Sequence, residues 1–275
     1  MAEPNATQRN DWNTESGLRW AADADRRDRV LVPVLEMLLD AAGLRPGEDV
    51  LDVGCGCGTA TLGAAARSRG GTALGVDISH PMLEVARARA SGVEGVTFLE
   101  ADAQTCDFDQ SFDLVISRFG TMFFDDARGA FRNVRRAVRG GGRLCIATWQ
   151  SLDANEWLRL PGAVLGRYAE LPAGHGTDAE MFSQAEPAAV EAMLSAAGWR
   201  DIRIDAVAVD LPFGRDVDDA VDYLATTGPG RRILQEIEVS DHPAALAAVA
   251  VALQDYLRDG MVRLSAGINI VHARR

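Results

Sequence analysis

Val50-Leu51-Asp52-Val53-Gly54-Cys55-Gly56-Cys57-Gly58-Thr59 is the stretch on which the fold turns. Apolar residues run into a turn with glycine at every second position. A helical pattern of small residues follows, with Ala60, Leu62 and Ala64 to Ala66. The stretch predicts a strand, a tight loop and a helix N-terminus. Such a junction presents unpaired backbone N–H groups and the positive end of a helix dipole, which suits an anionic ligand group. Glycine serves where the chain turns sharply and where a ligand lies directly on the backbone. The spacing is G-x-G-x-G, whereas dinucleotide-binding folds carry G-x-G-x-x-G.

The same alternation continues downstream. Asp49 to Val53 read as strand one, Thr72 to Val76 as strand two ending at Asp77, and Gly95 to Ala101 as strand three ending at Asp102. Phe112 to Ser117 and Leu144 to Trp149 read as strands four and five, with Gly140-Gly141-Gly142 as the stop of the helix between them. Strands alternating with helices at this spacing predict an α/β fold, a doubly wound and mostly parallel sheet. Ligands of such sheets bind at the carboxyl ends of the strands, beside the switch in strand order. Gly54, Asp77, Asp102 and Ser117 all fall at those ends.

The flanks are less regular. Residues 1–28 are polar, with Trp12 and Trp20 among Asn, Asp and Arg, and read as an N-terminal arm or lid. Residues 29–275 form the main domain. Segments 150–182 and 216–259 read as helical insertions forming a cap, residues 200–211 as a strand whose inward face changes phase, and Val262 to His272 as the last strand.

Composition excludes several chemistries. The chain has 275 residues, 47% hydrophobic and 25% charged, in the range of a soluble globular protein. A formal charge of −12 argues against a nucleic-acid partner. No apolar run reaches the length of a membrane span and no secretory signal precedes the first charges, so a cytoplasmic location is expected. The sequence holds no lysine, which excludes a P-loop lysine and a lysine Schiff base. Cys55-x-Cys57 lacks the spacing of zinc or redox pairs, and no metal is expected.

The segment 48–149 resembles the class I S-adenosylmethionine-dependent methyltransferases, in particular the small-molecule branch of the ubiquinone and menaquinone pathways. The resemblance rests on residues 50–58, Gly75-Val76-Asp77-Ile78-Ser79 with Met82-Leu83, Ala101-Asp102-Ala103, Phe112-Asp113-Leu114-Val115, and Arg139-Gly140-Gly141-Gly142-Arg143-Leu144. It implies a Rossmann-like sheet of seven strands, the last antiparallel, and S-adenosylmethionine as cofactor. It implies that Gly54, Cys55, Gly56 and Gly58 approach the methionyl part. Asp77 would accept from the ribose hydroxyls, Ile78 and Met82 would flank the adenine, and Asp102 with the Ala103 N–H would read its edge. Ser117 would face the amino group.

Ser117-Arg118-Phe119-Gly120 stands where enzymes acting on base amino groups carry an Asn/Asp-Pro-Pro-Tyr-like motif, and Asp125-Asp126 read as acids at a helix N-terminus. The acceptor pocket is expected among Trp12, Trp20, Arg118, Phe119, Met122, Phe123, Trp149 and Trp157. These residues point to a small, largely apolar or aromatic methyl acceptor. His175, His272 and Glu156 are the candidates for a general base, placed by no motif. A homodimer is an open option. A cofactor-binding protein or cyclase of the same fold, and a nicotinamide oxidoreductase, are the competing readings.

Overall fold

The computed structural model describes residues 4–169 and 179–275. In chain order the elements are α1 (Ala6–Asn13), α2 (Glu15–Ala22), α3 (Ala24–Ala42), β1 (Val50–Val53), α4 (Thr59–Ser68), β2 (Ala73–Asp77), α5 (His80–Arg89), β3 (Val96–Glu100), β4 (Phe112–Arg118), α6 (Ala127–Arg136) and β5 (Val138–Trp149). Then come α7 (Glu156–Leu165), α8 (Pro187–Ala196), β6 (Arg200–Gly214), α9 (Val217–Thr226), α10 (Gly228–Gln235), α11 (His242–Leu253), β7 (Leu257–Arg258) and β8 (Met261–Arg274).

The strands form one sheet in the order β3-β2-β1-β4-β5-β8-β6, with the two-residue β7 paired antiparallel to β8. The pairs β1–β2, β1–β4, β2–β3 and β4–β5 are parallel. β1 is buried along its whole length, as expected of an apolar strand covered on both faces. The order runs 3-2-1 and then jumps to 4, so the switch point lies between β1 and β4. Registers Val53↔Val76 and Asp77↔Glu100 bring the carboxyl ends of β1, β2 and β3 to one edge.

The chain divides into two compact units. The first holds Met1–Thr148, Gln184–Ala206 and Asn269–Arg275. Its core joins Leu51, Val53 and Val115 to Phe131 of α6 and Leu194 of α8, with Trp199 donating its indole N–H to the Phe131 carbonyl at 3.0 Å. The second unit holds Trp149–Ser183 and Val207–Ile268. It is built on α7, α9, α10 and α11 and on a chain of rings, with Trp149–Trp157 centroids at 5.2 Å and Trp157–Phe213 and Phe213–Tyr223 at 5.8 Å.

One local expectation changes. Gly140-Gly141-Gly142 do not stop α6. They lie inside β5, where Phe112 pairs with Val138 but Leu114 pairs with Arg143. The glycines absorb the surplus residues of that bulge, as side-chain-free positions in a strand can. Gly228-Pro229 mark the break between α9 and α10, with proline placed in the first turn of α10, where it is suited. The polar residues 4–28 are helical almost throughout. In β6 the inward face changes from Ile202 and Ile204 to Val207, Val209 and Leu211, as the sequence indicates.

Candidate functional site

The loop from Gly54 to Gly58 leaves β1 with all three glycines in the left-handed region, at φ 67°, 54° and 82°. The Gly54 and Cys55 amides both donate to the Val76 carbonyl, at 2.8 and 3.1 Å, which ties the loop to the end of β2. Gly54 is held there by shape as well: a Cβ on it would lie 2.5 Å from the Gly120 Cα. A Cβ on Gly56 would meet nothing nearer than the Met82 sulfur, at 3.7 Å.

Asp77 is buried, and each carboxylate oxygen accepts one backbone N–H at 2.8 Å, from Ser79 at Oδ1 and Gly56 at Oδ2. Burial raises its pKa against the opposing pull of these N–H groups. Two residues beyond β3, Asp102 Oδ1 accepts from the Asn5 amide at 2.8 Å and the Gln104 N–H at 2.9 Å. Asp102 Oδ2 is buried without a hydrogen-bond partner. Asn133 of α6 fixes the following turn by donating to the carbonyls of Ala103 and Cys106.

At the end of β4, Ser117 is fully buried; its hydroxyl donates to the Val53 carbonyl at 2.6 Å and accepts the Gly120 N–H at 3.2 Å. Phe119 is buried at φ 69°, a strained value for a non-glycine residue. Met122 is buried, and the turn is anchored by Thr121, which exchanges two hydrogen bonds with Gln184.

The N-terminal arm lies across these strand ends. Asn5 bonds Asp102 and also exchanges main-chain and side-chain hydrogen bonds with Asp125. Asn13 donates to the Ile78 carbonyl and accepts from the His80 N–H, each at 2.8 Å. Ser79 donates to the Trp12 carbonyl at 2.6 Å. The Trp12 ring meets Trp20 and Phe123 edge-on at 5.8 and 5.4 Å. These arm contacts escape sequence reading, because isolated asparagines in a polar stretch give no spacing signal.

A charged cluster also escapes it. Asp28 of α3 takes Arg118 on Oδ1 at 2.9 Å, and Arg89 at 2.8 Å and Thr59 at 2.6 Å on Oδ2. Burial would raise the Asp28 pKa, but these partners outweigh it and hold it below the usual carboxylate range. The cysteines of the loop stay protonated: burial pushes Cys55 well up and Cys57 to about 11.

Of the base candidates, His175 lies outside the described residues. His272 bonds Asp205 at 3.4 Å, its pKa lowered by burial and by Arg203. Glu156 accepts from the Tyr256 hydroxyl at 2.8 Å within the second unit. Trp149 and Trp157 also belong to that unit. Among the described residues no group of three His, Cys, Asp or Glu could hold a metal ion, and no helix is long and apolar enough to cross a membrane.

Asp52 carries a titration prediction. It is 1% exposed, accepts from the Thr61 hydroxyl at 2.6 Å, and is raised by burial to about 6 from the ordinary 3.8. The folded state therefore holds this proton more tightly than the unfolded chain does. Its contribution to stability falls as pH rises through that window, by roughly 2–3 kcal/mol in all. Asp77 titrates with the same sign, so the measurement is a difference. Asp52→Asn should flatten the slope of urea-unfolding stability between about pH 4 and pH 7. An unchanged slope would show that Asp52 titrates normally.

Comparison with known proteins gives a consistent picture. Residues 50–142 match the family described as "Methyltransferase domain". An uncharacterized protein of Mycobacterium tuberculosis is 38% identical over 125 residues, 44% of each chain, so the chain spans under half the length of this relative. Nocamycin O-methyltransferase of Saccharothrix syringae is 32% identical over 232 residues, covering 80% of this chain and 82% of the relative. Among solved structures, Haemonchus contortus phosphoethanolamine N-methyltransferase 2 in complex with S-adenosyl-L-methionine superposes with a TM-score of 0.60 at 20% identity. That match covers 97% of this chain and 59% of that one, and it supports the fold.

Proposed function

This chain belongs to the class I S-adenosylmethionine-dependent methyltransferases, and from that premise we propose that it methylates a small, largely apolar or aromatic molecule. The observation that carries the reading is the convergence of the glycine loop, Asp77 and Asp102 at the carboxyl edge beside the β1/β4 switch point.

The residues present fit the cofactor. Asp102 Oδ2 is a buried acceptor without a partner, suited to an exocyclic amine. Gly56 combines a positive φ with open space where a side chain would stand, as close approach of a ligand to the backbone requires. Asp77 keeps lone pairs for the two ribose hydroxyls beyond its two backbone bonds. Ile78 and Met82 would flank the adenine, and the Ala103 N–H would serve its edge together with Asp102.

When bound, S-adenosylmethionine supplies a methyl group already activated by its sulfonium. The work left to the chain is to hold the acceptor in line and to keep water out, worth about 7–11 kcal/mol when alignment is good. Phe119, Met122 and Phe123 would form the apolar lining. Residues 1–28, with Trp12 and Trp20, would act as the lid. Trp149, Trp157 and the segments 150–182 and 216–259 are assigned to acceptor recognition on the sequence reading. The O-methyltransferase among the relatives supports oxygen as the acceptor atom. The net charge of −12 supports a reading without nucleic-acid partners.

The test is titration with S-adenosylhomocysteine, followed by mass-spectrometric screening of hydroxylated aromatic and enolic compounds for products one methyl heavier. Absence of S-adenosylhomocysteine binding would overturn the reading. Binding without turnover on any acceptor would favour a cofactor-binding protein or cyclase of this fold.

A further inference from the structure

The Asp102 carboxylate is held by one oxygen. Its Oδ1 accepts two donors, the Asn5 side-chain amide at 2.8 Å and the Gln104 N–H at 2.9 Å, while Oδ2 is buried and accepts none. Both donor residues are gripped in turn by consecutive backbone N–H groups just ahead of α6. The Asp125 N–H donates to Asn5 Oδ1 at 2.8 Å, and the Asp126 N–H donates to Gln104 Oε1 at 2.9 Å. Asp125 Oδ2 also accepts the Asn5 N–H at 2.7 Å, and Asp126 Oδ1 accepts the Gly129 N–H at 2.9 Å, which ties the pair to the first turn of α6. Gln104 stands two residues from Asp102, so its bond is the local one of an Asx turn. Asn5 reaches Asp102 from 97 positions away, at the head of the arm.

Position 5 makes narrow demands on its residue. Asn5 is 2% exposed, and its backbone sits in the left-handed region at φ 53°, which asparagine tolerates better than most residues. Its side chain donates to a carboxylate and accepts an N–H at the same time, as an amide can. Aspartate there would offer oxygens alone and set a second negative charge against Asp102. Two donors on Oδ1 fix the plane of the Asp102 carboxylate and leave Oδ2 as the oxygen with its lone pairs unused. We propose that Asn5 is a positioning residue for the adenine. By holding Oδ1 it presents Oδ2 to the exocyclic amine, so the N-terminal arm sets the preference for a 6-aminopurine. The inference rests on the cofactor reading given above, in which Asp102 meets the adenine edge. It gives the arm a part in selecting the base as well as covering the site.

The experiment compares S-adenosylhomocysteine with its 6-deamino analogue, in which hydrogen replaces the exocyclic amine. The unaltered protein should bind S-adenosylhomocysteine at least about tenfold more tightly by isothermal titration, because the analogue leaves Oδ2 unpaired. Asn5→Gly removes the side chain at no cost to a left-handed backbone. It should weaken S-adenosylhomocysteine about tenfold and leave the analogue within about threefold, so that the preference nearly vanishes. Asp125→Ala, at an exposed position, removes one of the bonds that seat Asn5 and keeps both Asn5 and Asp102. It should reduce the preference in the same direction by a smaller factor, about threefold. Equal losses for the two ligands in Asn5→Gly would show that Asn5 only secures the arm, and would overturn the inference. If Asn5→Gly does not fold, an unchanged preference in Asp125→Ala overturns it instead. An unaltered protein that binds both ligands alike would show that Asp102 does not read the amine, and the inference fails. If the unaltered protein binds neither ligand, the cofactor reading itself fails and the inference with it.

Discussion

Asp77→Ala is expected to weaken S-adenosylhomocysteine binding about a hundredfold or more while the protein still folds. Each hydrogen bond from a ribose hydroxyl to the carboxylate is charge-assisted and contributes about 1.5–3 kcal/mol. The same carboxylate also organises the loop, because its two oxygens hold the Gly56 and Ser79 N–H groups. Alanine therefore removes the ribose acceptor and releases the loop that must lie beneath the ligand. Asp77→Asn keeps one acceptor oxygen and should fall between the two. Isothermal titration measures the effect, and the melting temperature checks the fold. An affinity within about threefold of the unaltered protein would sink the assignment, since two lost bonds of this kind exceed the 1.4 kcal/mol that a tenfold change represents.

Gly54→Ala is expected to cost about 3 kcal/mol of stability or more, and Gly56→Ala far less, although the two positions share one loop. A Cβ on Gly54 would stand 2.5 Å from the Gly120 Cα, and a Cβ on Gly120 would stand 2.6 Å from the Gly54 Cα. Both neighbours are backbone, so relief requires parting the end of β1 from the turn after β4. The positive φ of Gly54 adds strain to the clash. At Gly56 the nearest atom is a methionine sulfur at 3.7 Å, which leaves mainly the left-handed backbone penalty of about 1–2 kcal/mol. Its methyl group would project where the ligand meets the backbone. Gly56→Ala should therefore unfold at nearly the usual urea concentration yet lose most of its affinity for S-adenosylhomocysteine. Urea unfolding with parallel titration separates the two effects. A Gly54→Ala protein as stable as the parent would show that the two backbones do not need to touch.

Much of the first unit was legible in the sequence because its signals are local. The strands β1 to β4 follow from apolar runs closed by Gly54, Asp77, Asp102 and Ser117, and a parallel sheet brings such strand ends to a common edge. What stayed hidden depends on distant partners. The contact of Asn5 with Asp102 joins residues 97 positions apart, and that of Arg118 with Asp28 joins residues 90 apart. Neither asparagine nor arginine in a polar stretch announces its partner. The glycine run at 140–142 was misread for a related reason. Glycine marks a helix stop and a strand bulge equally well, and the choice is settled by the pairing of β5 with β4.

The grip of the arm has a kinetic consequence. Asn5, Trp12 and Asn13 fasten it to the ends of β2 and β3 and to Asp125. A nucleoside bound at those ends, as proposed above, would leave only after several of these bonds break together, so its residence time would be governed by the opening of two short helices rather than by its own contacts. An enzyme of that kind would exchange spent cofactor for fresh slowly, and nucleoside retained through purification, read by mass spectrometry, is the expected outcome.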